Sequence, residues 1–355
     1  LHDGANLVSF WALPEDASLV NVLGDCADQT IGVIGEGTIA TPHPIFDGQW
    51  LGNLTEFSPE DGYWILLEGD CTLCVNGWES DDIMFSLHGG ANLISYPFSG
   101  SSPMIETVPG EVLDMLLGII GEGTIATPHP IFDGQFLGNL TDLSGGNGYW
   151  FLVEDDIDFM FNPPAMARYN FVEEQMSNLI GYDYVQSSEQ AFYFIEDINA
   201  DMNSNDWVLA YNGDVLVGTA QWQGEFTSIP VMGDNGEDFT NGYLAAGESP
   251  QFVLLKNDTN ETIALNGSVN SWQSNGIFHI GEMTVEEDIP TSFVLNDVFP
   301  NPFNPEATIS YSLPMDAQIQ IQVFDMLGRN VTELVNDVQT AGYYSITWDA
   351  SNQSS

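Results

Sequence analysis

The sequence predicts a mainly β protein in which two tandem, small β-rich modules precede a β-sandwich and a further β-rich domain at the C-terminal end. The first indication is a duplication, because residues 34–49 recur without change as residues 120–135. The second is a series of short apolar runs bounded by Gly, Pro and Asn, which is typical of strands joined by turns. The third is that no apolar run approaches the roughly 20 residues that a membrane helix needs.

The duplication sets the first predicted domain boundaries. Residues 1–78 and 87–162 are two copies of one repeat module at an offset of 86 residues, and residues 79–86 join them. Tandem modules of this kind are a common way to build length. Beyond them we expect a β-sandwich module over residues 168–287 and a C-terminal domain over residues 288–355.

Each repeat is predicted to consist mostly of strands. Gly35 and Gly37 indicate a tight turn between two of them. Acidic residues near the starts of residues 18–23 and 108–117 favour a short helix in each copy. The apolar or alternating runs predicted as strands are residues 6–11, 50–54, 63–67 and 92–98.

The third module is predicted to be an antiparallel sandwich, because several short strands with turns between them suit two packed layers. The pairs Asn212-Gly213 and Asn266-Gly267 are among its turn signals. The runs predicted as strands are residues 191–195, 207–211, 215–218, 251–255 and 277–280.

Three cysteines, Cys26, Cys71 and Cys74, all lie in the first repeat. Their equivalents in the second repeat are all apolar, which indicates internal positions close to one another. These equivalents are Val112, Ile157 and Met160. We expect a disulfide that joins Cys26 to Cys71 or to Cys74, or Cys71 to Cys74, as in proteins of oxidising exteriors.

A zinc site is the alternative for the cysteines. It would use Cys71 and Cys74 with His2 or His43 as a further ligand. A lone Cys-x-x-Cys lacks the second ligand pair of structural zinc sites. Both histidines also have counterparts in the second repeat, where no cysteine exists, so the repeat itself explains them better.

One acidic stretch of the third module predicts a calcium site. Oxygen-bearing side chains at every second position resemble the start of a calcium-binding loop. These candidate ligands are Asp197, Asn199, Asp201 and Asn203. Met202 stands where such loops have Gly, and Val208 where they have Glu. The alternative is a solvated loop rich in Asp and Asn.

Three tryptophans of the same module, Trp207, Trp222 and Trp272, are candidates for a sugar-binding face, since flat aromatic side chains combine an apolar surface with a polar edge. The alternative is that they pack in the core or at a sheet edge.

The charge is strongly one-sided, with 52 acidic residues against Arg168, Lys256 and Arg329. Such a field repels nucleic acid phosphates and anionic lipids, so we expect neither nucleic acid partners nor membrane insertion. It also opposes compaction, which high salt or bound calcium relieves. These properties suit a protein that works in a saline or calcium-rich exterior. The alternative explanation of the acidic composition is a general compositional bias of the source organism.

The C-terminal segment alternates apolar and polar residues as half-buried strands do. The apolar members of these alternations are Ile309, Tyr311, Leu313, Ile319, Ile321, Val323, Ile346 and Trp348. Two further motifs are Pro300-Asn301-Pro302-Phe303-Asn304-Pro305 and Leu327-Gly328-Arg329.

These C-terminal motifs resemble the sorting domain of the type IX secretion system, which is similar to the Ig-like domain of flagellar hook-capping proteins. The resemblance implies an Ig-like fold and export to the outer cell surface or beyond. The family continues with further strands where this chain stops at Ser355. We therefore expect an incomplete domain with an open sheet edge, which invites a strand from a neighbouring copy.

The repeats resemble those of large surface proteins of marine bacteria. The resemblance rests on Asn92-Leu93-Ile94-Ser95-Tyr96 near the start of a repeat and on Gly62-Tyr63-Trp64 near its end. The segment that starts at Gln190-Ala191-Phe192 resembles a module that accompanies such repeats. Both resemblances imply a surface location.

Together these features predict a secreted structural or adhesive protein, such as a filament or layer subunit that binds itself head to tail. The alternative is a carbohydrate-binding protein of a secreted degradative system, with cell-surface polysaccharide as partner. We do not expect an enzyme, because the sequence has no GxSxG, HExxH or Walker motif.

Overall fold

Strands make up 49% of the chain and helices 6%, which confirms the predicted mainly β fold class. The computed structural model describes residues 1–46, 48–79, 82–164, 179–285, 291–300, 305–325 and 327–351. The predicted start of the sandwich module at residue 168 and the middle of the Pro300–Pro305 motif lie outside these residues. The chain has two units, Leu1–Val285 and Glu286–Ser355, and each is described by itself.

The first repeat is built on a five-stranded antiparallel sheet with the strand order β1-β6-β3-β4-β5. Its strands are β1 (Gly4–Ser9), β2 (Ala12–Leu13), β3 (Thr30–Gly35), β4 (Thr38–Pro42), β5 (Trp50–Gly52), β6 (Gly62–Leu67) and β7 (Trp78–Glu79). The predicted helix is α1 (Leu19–Leu23), followed by a 3₁₀ helix over Gly24–Asp28. The apolar runs of β1 and β6 are buried along their whole length, so these paired strands form the middle of the core.

The second repeat has the same topology, with the sheet order β13-β12-β11-β15-β9. Its strands are β8 (Phe85–Leu87), β9 (Gly90–Ser95), β10 (Ser101–Pro103), β11 (Leu116–Ile120), β12 (Ile125–Pro128), β13 (Phe136–Leu137), β14 (Asp142–Ser144), β15 (Gly148–Val153) and β16 (Ile157–Phe159). The helix predicted over residues 108–117 is shorter: α2 (Met104–Thr107) and α3 (Gly110–Leu113) precede strand β11. The prediction ran too far because Leu116 and Leu117 also continue a helical apolar pattern.

The third module forms one seven-stranded sheet with the order β19-β18-β21-β22-β23-β17-β20. Its strands are β17 (Gln190–Asn199), β18 (Trp207–Asn212), β19 (Val215–Gln221), β20 (Thr227–Met232), β21 (Gln251–Lys256), β22 (Glu261–Asn266) and β23 (Ile277–Val285), with a 3₁₀ helix over Asp238–Thr240. All five predicted strands are present. Strands β20 and β22 were not predicted.

This sheet differs from the expected antiparallel sandwich in two ways. Strands β17 and β23 are neighbours and pair in parallel, although they are the first and the last strand of this sheet in chain order. The sheet also curls until its two end strands approach: a Cβ atom on Gly218 of β19 would lie 1.8 Å from the carbonyl oxygen of Pro230 on β20. The core therefore fills the inside of one curled sheet, around Tyr193, Val208 and Phe252.

The C-terminal unit contains two small antiparallel sheets. Its strands are β24 (Val294–Leu295), β25 (Glu306–Leu313), β26 (Ala317–Phe324), β27 (Asn330–Gln339) and β28 (Gly342–Asp349). One sheet has the order β24-β25-β28 and the other pairs β26 with β27. The predicted alternations lie on β25, β26 and β28.

Candidate functional site

The two repeats bind each other through reciprocal contacts. His2 Nε2 lies 2.6 Å from Glu122 Oε1, and the equivalent His88 Nε2 lies 2.7 Å from Glu36 Oε1. Each carboxylate also accepts a backbone N–H of the other repeat, from Leu7 to Glu122 and from Leu93 to Glu36, both at 2.8 Å. A contact that recurs with the partners exchanged is the mark of an isologous interface.

Backbone hydrogen bonds between the two repeats are reciprocal as well. The N–H of Ser9 donates to Gly146 O at 2.9 Å, and the N–H of the equivalent Ser95 donates to Glu60 O at 3.0 Å. Between these contacts lies an apolar cluster that includes Leu7, Trp64 and Leu93. The tandem copies thus form a closed pair, and the expectation that they simply add length is corrected.

Both histidines of this interface are held by two acceptors. His2 Nδ1 faces Asp3 O at 2.7 Å while its Nε2 faces Glu122, so the doubly protonated imidazolium satisfies both contacts. The hydrogen bond that His2 donates to Glu122 raises the pKa of His2, against the opposing effect of burial. The hydrogen bond that His88 donates to Glu36 likewise raises the pKa of His88. The sequence pattern had indicated the two histidines as part of the repeat but not the two glutamates, which lie inside the identical segments.

The second repeat also packs against the curled sheet. Ile120 and Ile125 form one buried cluster with Phe192 and Phe194 of β17. Gln190, at the start of β17, is fully buried and binds the turn of the repeat: its Nε2 donates to Gly121 O at 2.8 Å. Sequence analysis did not single out Gln190, since one glutamine carries no recognisable pattern.

The predicted calcium stretch receives a lysine side chain. Lys256 Nζ donates to the Asp201 carbonyl oxygen and, at 2.9 Å, to Oδ2 of the buried Asp206. Burial raises the pKa of Asp206, but the hydrogen bonds from Lys256, Asn203 and Asn257 together lower it below its usual value. An ammonium group therefore compensates the carboxylate that lies deepest in this stretch.

The candidate calcium ligands lie at the end of one strand and in the segment that follows it. Asp197 and Asn199 lie on strand β17, and Asp201 and Asn203 follow it. Within the described ranges, no group of three or more His, Cys, Asp or Glu side chains is placed to hold a metal ion. Calcium binding stays a prediction.

The cysteines of the first repeat are divided between a bond and a free thiol. Cys26 and Cys71 form a disulfide with their Cα atoms 5.8 Å apart, and Cys74 is free and exposed. The zinc alternative does not fit this arrangement, because Cys71 is no longer a thiolate. His2 is bound to Glu122, and His43 Nδ1 accepts backbone N–H groups of its own loop.

The three candidate sugar-facing tryptophans are buried, which corrects that prediction. Trp222 and Trp272 belong to the core of the curled sheet, and Trp207 packs with Leu209 and Leu255 in a second cluster. Trp272 Nε1 donates to Val231 O at 3.0 Å, so its polar edge is satisfied inside the protein. These rings offer no open face to a sugar.

The C-terminal unit holds its Leu-Gly-Arg turn by one carboxylate. Asp325 Oδ1 accepts the backbone N–H groups of Leu327 and Arg329, and its Oδ2 accepts the guanidinium of Arg329 at 2.7 Å. These hydrogen bonds lower the pKa of Asp325. The carboxylate of Asp325 thus fixes the turn that connects β26 to β27, although Leu327 and Arg329 are exposed.

A family of known proteins matches most of this unit. Residues 297–355 match the family described as the secretion system C-terminal sorting domain. They form a type IX secretion sorting domain. No curated protein and no solved structure matches the chain.

The sorting domain decides where the protein works. A chain that carries it is exported to the cell surface or the extracellular space, as the sequence predicted. In the described part of the chain, no helix has the length and apolar character needed to cross a membrane. The disulfide of the first repeat suits the same oxidising location.

Proposed function

We propose that this exported protein is a structural or adhesive component of the cell surface and not an enzyme. The observation that carries the proposal is the reciprocal pairing of the two repeats through Glu36 and Glu122. The segments that are identical between the repeats serve to join modules into one body: they bind the other repeat and, in the second copy, the curled sheet. Joined modules of this kind suit load-bearing or spacing roles.

We infer further that the sorting domain is Ig-like, similar to flagellar hook-capping proteins, and that copies assemble through its strand edges. Among its described residues, β28 is hydrogen-bonded only to β25, and β26 and β27 only to each other. Strands with an unpaired edge accept a strand from another chain. Because such a contact joins different surfaces, it leads to filaments or layers that need not close.

Electron microscopy of the native exported material tests this function. We expect filaments or sheets built from this chain. A variant with Ser345→Lys and Thr347→Lys places two charges on exposed positions of β28, which opposes strand addition, and should yield separate particles. The matched control, Val20→Lys with Ile105→Lys, adds the same charge at exposed positions of the repeats and should still assemble.

Two results would contradict the proposal. Equal assembly of all three proteins would show that the β28 edge is not used. Separate wild-type particles bound to polysaccharide would instead support the carbohydrate-binding alternative, with a binding surface other than the three buried tryptophans. Hydrolysis of that polysaccharide by the purified protein would show that the protein is an enzyme.

A further inference from the structure

The contact between the second repeat and the curled sheet defines a recognition pattern. On strand β17, Gln190, Phe192 and Phe194 are two residues apart, so their side chains share one face of the strand. The two phenylalanines pack on Ile120 and Ile125. Between the strand and the repeat, Gln190 makes two hydrogen bonds: its Nε2 donates to Gly121 O at 2.8 Å, and its Oε1 accepts Gly123 N–H at 3.1 Å.

The first repeat carries the same receptor, and no strand among the described residues occupies it. Its residues 34–49 are identical to residues 120–135, so Gly35, Gly37 and Ile39 stand where the second repeat has Gly121, Gly123 and Ile125. Ile39 is 47% exposed, whereas Ile125 is 0% exposed. The two repeats have the same sequence here and the same topology. The exposures of Ile39 and Ile125 therefore differ because the curled sheet covers Ile125.

The uncovered surface is continuous. We call it the open repeat face and define it by Gly37, Ile39, Thr41 and Leu51, which lie on or beside strands β4 and β5. Leu51 is 48% exposed, pairs with Thr41 and is therefore the diagonal neighbour of Ile39 across strands β4 and β5. An exposed isoleucine and leucine within reach of one aromatic side chain can contribute to a binding surface.

We propose that the open repeat face binds a β-sheet domain of a separate protein. The partner presents a strand with the chemistry of β17: a carboxamide side chain that binds the backbone of Gly35 and Gly37, followed at the second and fourth positions by aromatic side chains. These aromatic side chains pack on Ile39 and Leu51, the equivalents of Ile125 and Leu137, which belong to the cluster around Phe192 and Phe194. Binding at this face is compatible with a structural or adhesive protein and equally with a carbohydrate-binding protein, so the inference does not depend on which of the two functions is correct.

A second copy of this chain is not the favoured occupant. Each chain has two receptor faces but a single Gln190–Phe194 strand, and that strand is bound by the second repeat of its own chain. Binding within one chain has the advantage of a high effective concentration. Two copies also repel each other, since each has a formal net charge of −49.

The test uses full-length chains as both probe and receptor. The probe carries Ile39→Glu and Ile125→Glu, so both of its receptor faces are disabled and its own β17 strand is uncovered. The receptor is the wild-type chain. In about 0.5 M NaCl, which screens the charge repulsion, we expect a one-to-one complex at about 50 µM, a concentration that suits a weak interface. The complex is measured by sedimentation velocity with a labelled probe.

Receptor variants locate the contact. Ile39→Glu in the receptor should weaken binding at least about tenfold, because it would bury an unpaired carboxylate. Val20→Glu, which changes an exposed apolar residue on α1, should leave binding unchanged. Hydrogen exchange of the wild-type receptor should slow at residues 37–41 and 51 when the probe is added.

A probe that stays monomeric, with its sheet folded by circular dichroism, would overturn the proposal. A second probe guards against an effect of one particular substitution: it keeps Ile39→Glu but replaces Ile125→Glu by Ile120→Glu, because Ile120 is 0% exposed and belongs to the same cluster with Phe192 and Phe194. Self-association of the wild-type chain alone that is abolished by Ile39→Glu would also overturn it, since the occupant would then be a second copy.

Discussion

Glu36 and Glu122 occupy equivalent positions in the two repeats, and each carboxylate binds the histidine and a backbone N–H of the other repeat. The exchange of partners makes the two halves of the interface equal. Because each histidine contacts two acceptors, its protonated form is favoured, and the interface gains strength from two positive charges in a chain that has few others.

The stability of the repeat pair should therefore depend on pH. The pKa values of His2 and His88 are raised above 6.5 by their glutamate hydrogen bonds. A raised folded-state pKa gives stability that is present below pH 6.5 and lost as the pH rises through the folded pKa. Urea unfolding between pH 6 and pH 9 should show this fall. It amounts to less than about 1 kcal/mol for each pair, because both imidazoles are partly exposed.

The double variant Glu36→Gln with Glu122→Gln should remove most of this dependence. Its control, Glu68→Gln with Glu154→Gln, makes the same charge change at exposed and equivalent positions of the two repeats, and should keep the wild-type slope. His279, whose pKa is lowered by burial, contributes a slope of the opposite sign as the pH rises through 6.5, because the unfolded imidazole still binds protons there. This contribution is the same in the variant and in its control, so it cancels when the two are compared. A slope unchanged in the first variant would exclude these pairs as its cause.

Lys256 should stabilise the curled sheet far more than its number of contacts suggests. Lys256→Met leaves the buried Asp206 carboxylate without its compensating charge, and should lower the free energy of unfolding by about 2–3 kcal/mol. Adding Asp206→Asn should restore more than half of the loss. Arg329→Met removes an exposed ion pair of the sorting domain and should cost less than about 1 kcal/mol. Urea midpoints of the four proteins decide the matter; equal losses for Lys256→Met and Arg329→Met would contradict the prediction.

The disulfide should stabilise the first repeat by restricting its unfolded chain. Cys26 and Cys71 are separated by 45 residues, for which loop-closure entropy gives about 4 kcal/mol. A reducing agent should lower the melting temperature of the wild type. It should leave unchanged the variant Cys26→Val with Cys71→Ile, which copies the second repeat. Cys74→Ser should behave as the wild type does, and a loss of the reduction effect in that variant would show that Cys74 takes part in the bond.

The sequence predicted local features better than contacts between modules. Strands such as β6 and β18 are marked by apolar runs and flanking turns, so their existence could be read directly. The duplication likewise predicted that both repeats share one topology. None of this indicates which faces meet: the segments around Ile39 and Ile125 are identical in sequence, and only the packed structure shows that Ile125 is buried and Ile39 exposed.

The tryptophans and the calcium stretch show a second limit. A residue type that suits sugar binding, such as Trp272, suits a core equally well, and burial decides between them. The alternation of oxygen side chains before Asp206 gave no sign that Lys256, distant in sequence, is the group that reaches this stretch. Long-range pairing of this kind leaves no local pattern.

The close approach of the repeats gives a test of the isologous interface itself. A Cβ atom at Gly62 would lie 2.8 Å from Leu93 Cδ1, and one at Gly148 would lie 2.7 Å from Val8 O. Gly62→Val and Gly148→Val should each lower the free energy of unfolding by about 1–3 kcal/mol, because the repeats must move apart. Gly281→Val, on a strand where a Cβ atom meets nothing within 4 Å, is the control and should have little effect.

Combining the two glycine variants separates one shared interface from two independent sites. If both substitutions open the same contact, the second acts on an interface that the first has already loosened, so the double variant should lose less than the sum of the single losses. Independent sites would give additive losses in urea unfolding. Additive losses would therefore show that the contacts of Gly62 and Gly148 yield separately, which is incompatible with a pair of repeats that open as one unit.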